Sequence, residues 1–209
     1  MLFRSDLRIQ GPLNDPSVDP PFKNLKATGE VGWTSADLYG MRMGAAALRP
    51  ALAQGVLDIP LADVPANEGT VRMGGSVNFA DGSTYRLAGR HAVLEKVKIT
   101  PEMAQTLLSR VNPIFSKVAA VDGTVSANLQ DIVAPFEDFK RRGAGQGRVD
   151  LADLRIQPAG FLATLLEMGG VSTADRVLVQ TDGVDFRIRD GGVTYQNFNM
   201  VFAKDFPLV

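Results

Sequence analysis

The sequence contains no cysteine and a single histidine, His91. Without cysteine the chain forms no disulfide, offers no thiolate nucleophile and holds no zinc site built on sulfur ligands. A metal site of several histidines is excluded as well, because there is no second imidazole. A lone histidine in a strand is most often a surface or hydrogen-bonded residue. We therefore interpret His91 as structural rather than catalytic or metal-binding.

Other signatures of catalysis and cofactor binding are also missing. There is no Gly-x-Ser-x-Gly elbow, Walker loop or dinucleotide fingerprint. The segment Gly143–Gly147 is rich in glycine, but no predicted helix follows it, so we interpret it as a flexible loop that leads into a strand. The aspartate pairs Asp58 and Asp63, and Asp182 and Asp185, resemble ordinary turn residues. The sequence predicts neither an enzyme nor a bound cofactor or metal ion.

The chain has almost no net charge. Its 209 residues include 22 Lys and Arg against 23 Asp and Glu, and the two signs are interspersed. No basic stripe is present to neutralise phosphates, so we expect no nucleic-acid partner. Lys140–Arg142 is the densest basic segment. We interpret it as a solvated loop, with contact to anionic lipid headgroups as the alternative.

No long hydrophobic run is present either. The smoothest apolar stretch, Met43–Leu52, is interrupted by Arg49 and Pro50 and is far shorter than the roughly 20 residues of a membrane span. The N-terminus lacks the apolar region of a signal peptide. We interpret residues 1–21 as an N-terminal extension, part of which is a candidate cloning or sequencing artefact. The abrupt ends predict that the chain is a fragment of a longer protein.

What the chain does contain is a recurring glycine followed by alternating apolar and polar residues. At 45% hydrophobic residues it has enough apolar side chains to bury a core. Each copy of the pattern predicts a turn followed by a strand with one apolar face. The copies begin at Gly29, Gly55, Gly75, Gly123, Gly147 and Gly183. The pattern therefore predicts a mainly antiparallel sheet with an extended apolar surface.

Two segments depart from this period of two. Thr100 is a good N-cap and Pro101 suits the first helical position, so an amphipathic helix is predicted over about 101–117. A second short helix is predicted over about 159–168 and ends at Gly169–Gly170. The alternation also changes phase near Ala152–Asp153, which predicts a β-bulge or sharp turn. The predicted fold class is mainly β with two short helices (α+β).

The chain from about residue 25 onward resembles the AsmA-like C-terminal region of planctomycete-type envelope proteins, within the AsmA and TamB superfamily. The segments that carry the resemblance are 48–61, 67–69, 98–103, 108–113 and 186–193. They are turn-and-strand patterns rather than catalytic motifs. The resemblance implies that residues 22–209 form an elongated, twisted and curved antiparallel sheet, a β-groove packed by the two helices. It also implies a periplasmic or cell-envelope location.

The function implied by the resemblance is binding or conduction of lipids between inner and outer membranes, in support of outer-membrane biogenesis. The expected partners are a phospholipid or another envelope lipid, and membranes reached through parts of the full-length protein that this chain lacks. The candidate groove residues are Val71, Met73, Val77, Phe79, Val184, Phe186, Ile188, Phe198, Met200 and Phe202.

Two alternatives stay open at this point. Alternation cannot distinguish an open lipid groove from a closed core beneath the helices, so each candidate residue has both interpretations. The chain could also be a structural or adhesive β domain of an envelope protein, which binds protein partners through its sheet edges. The curvature and covering of the apolar face decide between these interpretations.

Overall fold

The computed structural model describes residues 3–11, 22–80, 82–109, 115–116, 118–173, 176–196 and 199–203. Within these residues, fifteen β-strands join into one antiparallel sheet that is not closed. The predicted fold class, mainly β with short helices, is confirmed. No helix in these ranges is long and apolar enough to cross a bilayer.

The strands vary from three to eighteen residues in length. In chain order they are β1 (Phe3–Gln10), β2 (Lys26–Trp33), β3 (Ala36–Leu38), β4 (Met41–Met43), β5 (Ala46–Leu48), β6 (Ala51–Ala53), β7 (Val56–Ala66), β8 (Gly69–Asn78), β9 (Thr84–Lys98), β10 (Val118–Pro135), β11 (Ala144–Pro158), β12 (Val177–Thr181), β13 (Val184–Arg189), β14 (Gly192–Gln196) and β15 (Met200–Ala203).

The sheet consists of long central strands whose neighbours divide into shorter pieces towards both edges. The hydrogen-bonded order is β1-β2-β6-β7-β8-β9-β10-β11-β12-β15. Strands β5 and β6 pair with successive parts of β2, and β12 and β13 pair with successive parts of β11. Strand β1 pairs with β2 over its whole length, so part of the segment interpreted as an N-terminal extension belongs to the sheet.

The helical segments agree with the prediction to different degrees. Helix α1 (Pro101–Met103) continues as a π-helical turn, Ala104–Leu108, and the Oγ1 of Thr100 accepts a hydrogen bond from the N–H of Met103. The rest of the predicted helix falls partly on residues 110–114 and 117, which lie outside the described residues. The one-turn helix α2 (Phe139–Arg142) was not predicted, whereas α3 (Phe161–Met168) agrees with the prediction.

Two predictions about β11 have different outcomes. Asp153 has a φ of 52°, and β11 has one extra residue relative to β10 at this point. The predicted bulge near Ala152–Asp153 is therefore confirmed. The interpretation of Gly143–Gly147 as a flexible loop is wrong, because β11 begins at Ala144. Gly147 is paired with Leu129 on one side and Phe186 on the other, and a side chain at this position would meet the Phe186 ring.

The buried core lies on one face of the central strands, beneath α1 and the π-helical turn. Val64, Val97 and Val125 contribute fully buried side chains from the sheet. Met103 and Phe115 cover them from the helical side, with exposed fractions of 0% and 1%. Burial of each large apolar side chain stabilises the fold by about 1.5–3 kcal/mol, so this contact holds the helical segment against the sheet.

Asn67 connects three segments at one end of this core. Its side-chain Nδ2 donates hydrogen bonds to the carbonyl oxygens of Gly40 (3.0 Å) and Lys98 (3.2 Å). Its Oδ1 accepts from the backbone N–H of Arg42 at 2.9 Å. Asn67 adopts a φ of 42°, a region that asparagine tolerates better than most residues. One side chain thereby joins the β3–β4 turn to the end of β9.

Candidate functional site

Three of the candidate groove residues lie in or against the buried core. Val71 is 8% exposed and belongs to the core, while Met73 and Phe202 are partly buried and pack against it. Their positions follow from strand pairing, because Val71 lies opposite Val64 on β7 and Phe202 lies opposite Val179 on β12. For these three residues the closed-core interpretation describes the environment.

Val77 and Phe79 lie beyond the core, near the end of β8. Val77 is 7% exposed, although it is not a member of the core cluster. The ring of Phe79 meets the ring of Phe22 edge to face, with centroids 5.1 Å apart. This aromatic contact shields one side of Phe79, while Phe22 remains exposed.

The second group of candidates lies on β13, against β11. Val184 is fully buried opposite Val149, whereas Phe186 and Ile188 are half-buried. Phe186 lies over Gly147, where the missing side chain leaves room for the ring. Phe198 lies outside the described residues. Of Met200 only the backbone is described, and it pairs with Thr181.

A row of apolar residues crosses the sheet outside the core. In antiparallel strands, directly paired residues project to the same face, so successive pairs define a row. Seven consecutive strands of the sheet contribute one residue each: Ile9, Ala27, Leu52, Leu57, Val77, Tyr85 and Ala134. None of them belongs to the core cluster. We call this set the apolar row.

The apolar row is only partly covered. Val77 is buried, whereas Ile9 at the β1 edge is 47% exposed and the other members are half-buried. Val71 and Val77 are six residues apart on β8, an even number, so the apolar row and the core share one face of the sheet. The face is closed by the helical segment at one end and accessible along the apolar row.

Tyr85 is the one member of the apolar row with a polar group. Its phenol donates a hydrogen bond to the carbonyl oxygen of Gly74 at 2.6 Å, and its ring lies over Gly75. Burial raises the pKa of Tyr85, since it disfavours the phenolate. The hydrogen bond satisfies the hydroxyl inside an otherwise apolar surface.

The opposite face of the sheet is polar. One row there consists of Arg8, Thr28, Ala51, Asp58, Ser76 and Arg86, each directly opposite the next. On the same strands these residues are adjacent in sequence to members of the apolar row. The two faces therefore differ sharply in chemistry, as the alternation within each strand requires.

The described residues form no recognisable catalytic constellation. The Nε2 of His91 lies 2.8 Å from the carbonyl oxygen of Ala88, a local backbone contact. Asp63 binds Arg72, and Asp185 binds Arg148, so two of the aspartates considered from the sequence serve in ion pairs. No group of three or more potential metal ligands occurs in the described ranges. The basic segment Lys140–Arg142 is helical, and two of its arginines approach Asp138.

The sequence reasoning missed most members of the apolar row. Alternation within a strand predicts stripes along that strand, whereas the apolar row depends on the register between strands. One local signal was available: Gln54–Gly55 forms a two-residue turn with φ values of 53° and 75°, which pairs Leu52 with Leu57. The longer-range pairs, such as Ala27 with Leu52, have no such signal.

No model of a known protein family, no curated protein and no solved structure matches the chain.

Proposed function

We propose that this chain is a lipid-binding segment of an AsmA-like envelope protein, and that its apolar face holds lipid acyl chains on a path between inner and outer membranes. The role is binding and conduction in support of outer-membrane biogenesis, without a catalytic step. The apolar row carries the proposal, because it extends an apolar surface beyond the core to the β1 edge, where Leu7 and Ile9 are 64% and 47% exposed.

The dimensions of the apolar row suit an extended hydrocarbon chain. Neighbouring strands lie about 4.8 Å apart, so seven strands span roughly 29 Å, about the thickness of the hydrocarbon core of a bilayer. Each buried CH₂ group of a ligand contributes about 0.8 kcal/mol. A single acyl chain along part of the row would therefore be held firmly without any charged contact.

The test is phospholipid binding by the purified chain, measured by native mass spectrometry and by uptake of a fluorescent phospholipid from vesicles. Leu52→Arg and Leu57→Arg place a charge in the apolar row and should abolish uptake. Ala51→Arg and Asp58→Arg are matched controls, since they change the adjacent residues on the polar face. The proposal is refuted if the unaltered chain takes up no phospholipid. It is also refuted if the unaltered chain and the four variants all take up equal amounts.

A second function, a structural or adhesive β domain, is favoured by the free edge of β1. The described structure pairs β1 with β2 alone, and its residues 5–10 are all exposed. Such an edge is a template for an added strand. Leu7→Pro should block edge pairing with a protein partner while lipid uptake persists. Loss of a defined partner without loss of lipid binding would support this second function.

A further inference from the structure

The polar face carries a second ordered row, which runs from β9 to β13. Arg90 lies opposite Gln130, Gln130 opposite Gln146, and Gln146 opposite Arg187. We call these four residues the Arg-Gln row. It lines a surface cleft of ≈ 240 Å³ that also includes Arg148 and Asp185 among its walls. The row lies on the face opposite the apolar row, because its members alternate with Leu129, Gly147 and Phe186 along the strands.

The two terminal arginines of the Arg-Gln row differ from Arg148 in their charge partners. In the described part of the chain, neither Arg90 nor Arg187 forms an ion pair, and both side chains are exposed. Arg148 differs, since its Nε lies 2.8 Å from Asp150 and its Nη1 lies 3.2 Å from Asp185. The cleft is lined by three arginines and one aspartate. Two further carboxylates lie beside it, Asp150 on Arg148 and Asp131 on Gln130, so the cationic groups left without an ion pair among the described residues are Arg90 and Arg187.

The Arg148 ion pairs also give the cleft a defined wall. Arg148 donates further to the carbonyl oxygen of Asp182, so its guanidinium is held by two carboxylates and a backbone group. A side chain fixed in this way loses little further conformational entropy when a ligand binds beside it. The Nε2 of Gln130 donates to the Asp131 carboxylate at 3.2 Å, so the free donors that face the cleft belong mainly to Arg90, Arg187 and Gln146.

From this arrangement we infer that the Arg-Gln row binds an extended anion with at least two phosphate or carboxylate groups. Guanidinium groups recognise both anions through paired N–H donors, and the Gln146 amide adds a donor between them. The Cα atoms of Arg90 and Arg187 are three strand spacings apart, which is about 14 Å. A linear anion with charges near both ends matches this spacing, whereas a single small anion can engage only one arginine. The inference does not depend on lipid binding by the other face.

The test uses inorganic tripolyphosphate, inorganic phosphate and citrate as probes, with isothermal titration calorimetry of the whole chain at low salt. Tripolyphosphate should bind at least about tenfold more tightly than phosphate, because two arginines act together. Binding of citrate as well as tripolyphosphate would identify charge number as the determinant, and binding of tripolyphosphate alone would identify phosphate. Both results support the inference.

Variants separate this cleft from general attraction of anions. Arg90→Gln and Arg187→Gln should each weaken tripolyphosphate binding by at least about tenfold. Arg8→Gln on β1 is the matched control, since Arg8 is exposed on the same polar face but lies outside the cleft. Circular dichroism verifies that each variant keeps its β structure. No measurable binding of tripolyphosphate, or equal weakening by Arg8→Gln, would overturn the inference.

Discussion

The hydroxyl of Tyr85 donates to the carbonyl oxygen of Gly74 across 2.6 Å, and the absent side chain of Gly75 makes room for the ring. Tyr85→Phe keeps the ring and removes the donor. The free energy of unfolding should fall by about 1 kcal/mol, since a partly buried carbonyl loses its partner. Urea unfolding followed by circular dichroism measures this change. An unaltered midpoint would show that water replaces the phenol at no cost.

The same tyrosine predicts a loss of stability at alkaline pH. Burial raises the pKa of Tyr85, so the folded protein holds the phenolic proton to higher pH than the unfolded chain does. The contribution to stability is therefore complete below the unfolded pKa of about 10 and declines as pH rises above it. Unfolding free energies between pH 9 and 11 should fall less steeply for Tyr85→Phe than for the unaltered chain. Identical slopes would contradict the assignment.

Met103 is predicted to anchor the helical segment over the core. Its side chain is completely buried, so Met103→Ala should lower the free energy of unfolding by about 2–5 kcal/mol through lost contacts and a cavity. Met168→Ala on α3 is the matched control, because Met168 is 81% exposed and the change should stay within about 0.5 kcal/mol. Thermal or urea unfolding measures both variants. A similar effect at the two positions would contradict the described packing.

Asn67 is predicted to be a structural residue although it is polar and close to the surface. Asn67→Ala removes the side-chain hydrogen bonds to Gly40, Arg42 and Lys98 and places alanine at a positive φ. The expected loss in unfolding free energy is about 2–3 kcal/mol, from three hydrogen bonds of about 1 kcal/mol each. Asn24→Ala, at an exposed position, serves as the control. Hydrogen exchange at the β3–β4 turn should accelerate in the Asn67 variant alone.

The ion pair between Asp63 and Arg72 predicts an effect at acid pH. Arg72 hydrogen-bonds the Asp63 carboxylate at 2.6 Å and 3.0 Å and lowers its pKa. A carboxyl with a lowered folded pKa contributes stability above its unfolded pKa of about 3.9, and this contribution disappears as pH falls through the folded value. Arg72→Ala should raise the Asp63 pKa in a carbon-detected NMR titration. The change in stability should be small, since the pair is solvent-exposed and screened by salt.

The relation between sequence and structure differs between local and long-range features. The Thr100 cap, the helix that Gly169 ends and the bulge at Asp153 depend on neighbouring residues, and all three could be predicted from the sequence. The π-helical turn after Met103 could not, because helical periodicity does not distinguish it from an α-helix over one or two turns. Its buried residues, Ala104 and Leu108, belong to the core cluster.

The candidate site shows the same limit. Alternation on β8 and β13 placed Val77 and Phe186 on an apolar face, but it could not show that Val71 lies in the core while Val77 lies beyond it. That distinction depends on where the helical segment covers the sheet. The apolar row and the Arg-Gln row both depend on which residues stand opposite each other, and only short hairpin turns reveal such pairs in a sequence.

The bulges on the central strands determine which side chains belong to which face. Lys96 and Asp153 adopt positive φ values where β9 and β11 each gain one residue relative to β10. Beyond such a point, every later side chain changes sides relative to uninterrupted alternation. Leu151 and Leu154 both face the core although they are three residues apart, because Asp153 is the extra residue between them. Deletion of Asp153 would leave them two residues apart, so uninterrupted alternation would keep Leu151, Leu154 and Ile156 on the same face. A missing codon at this bulge would therefore be less damaging than a missing codon elsewhere in β11, which would turn one part of the strand over.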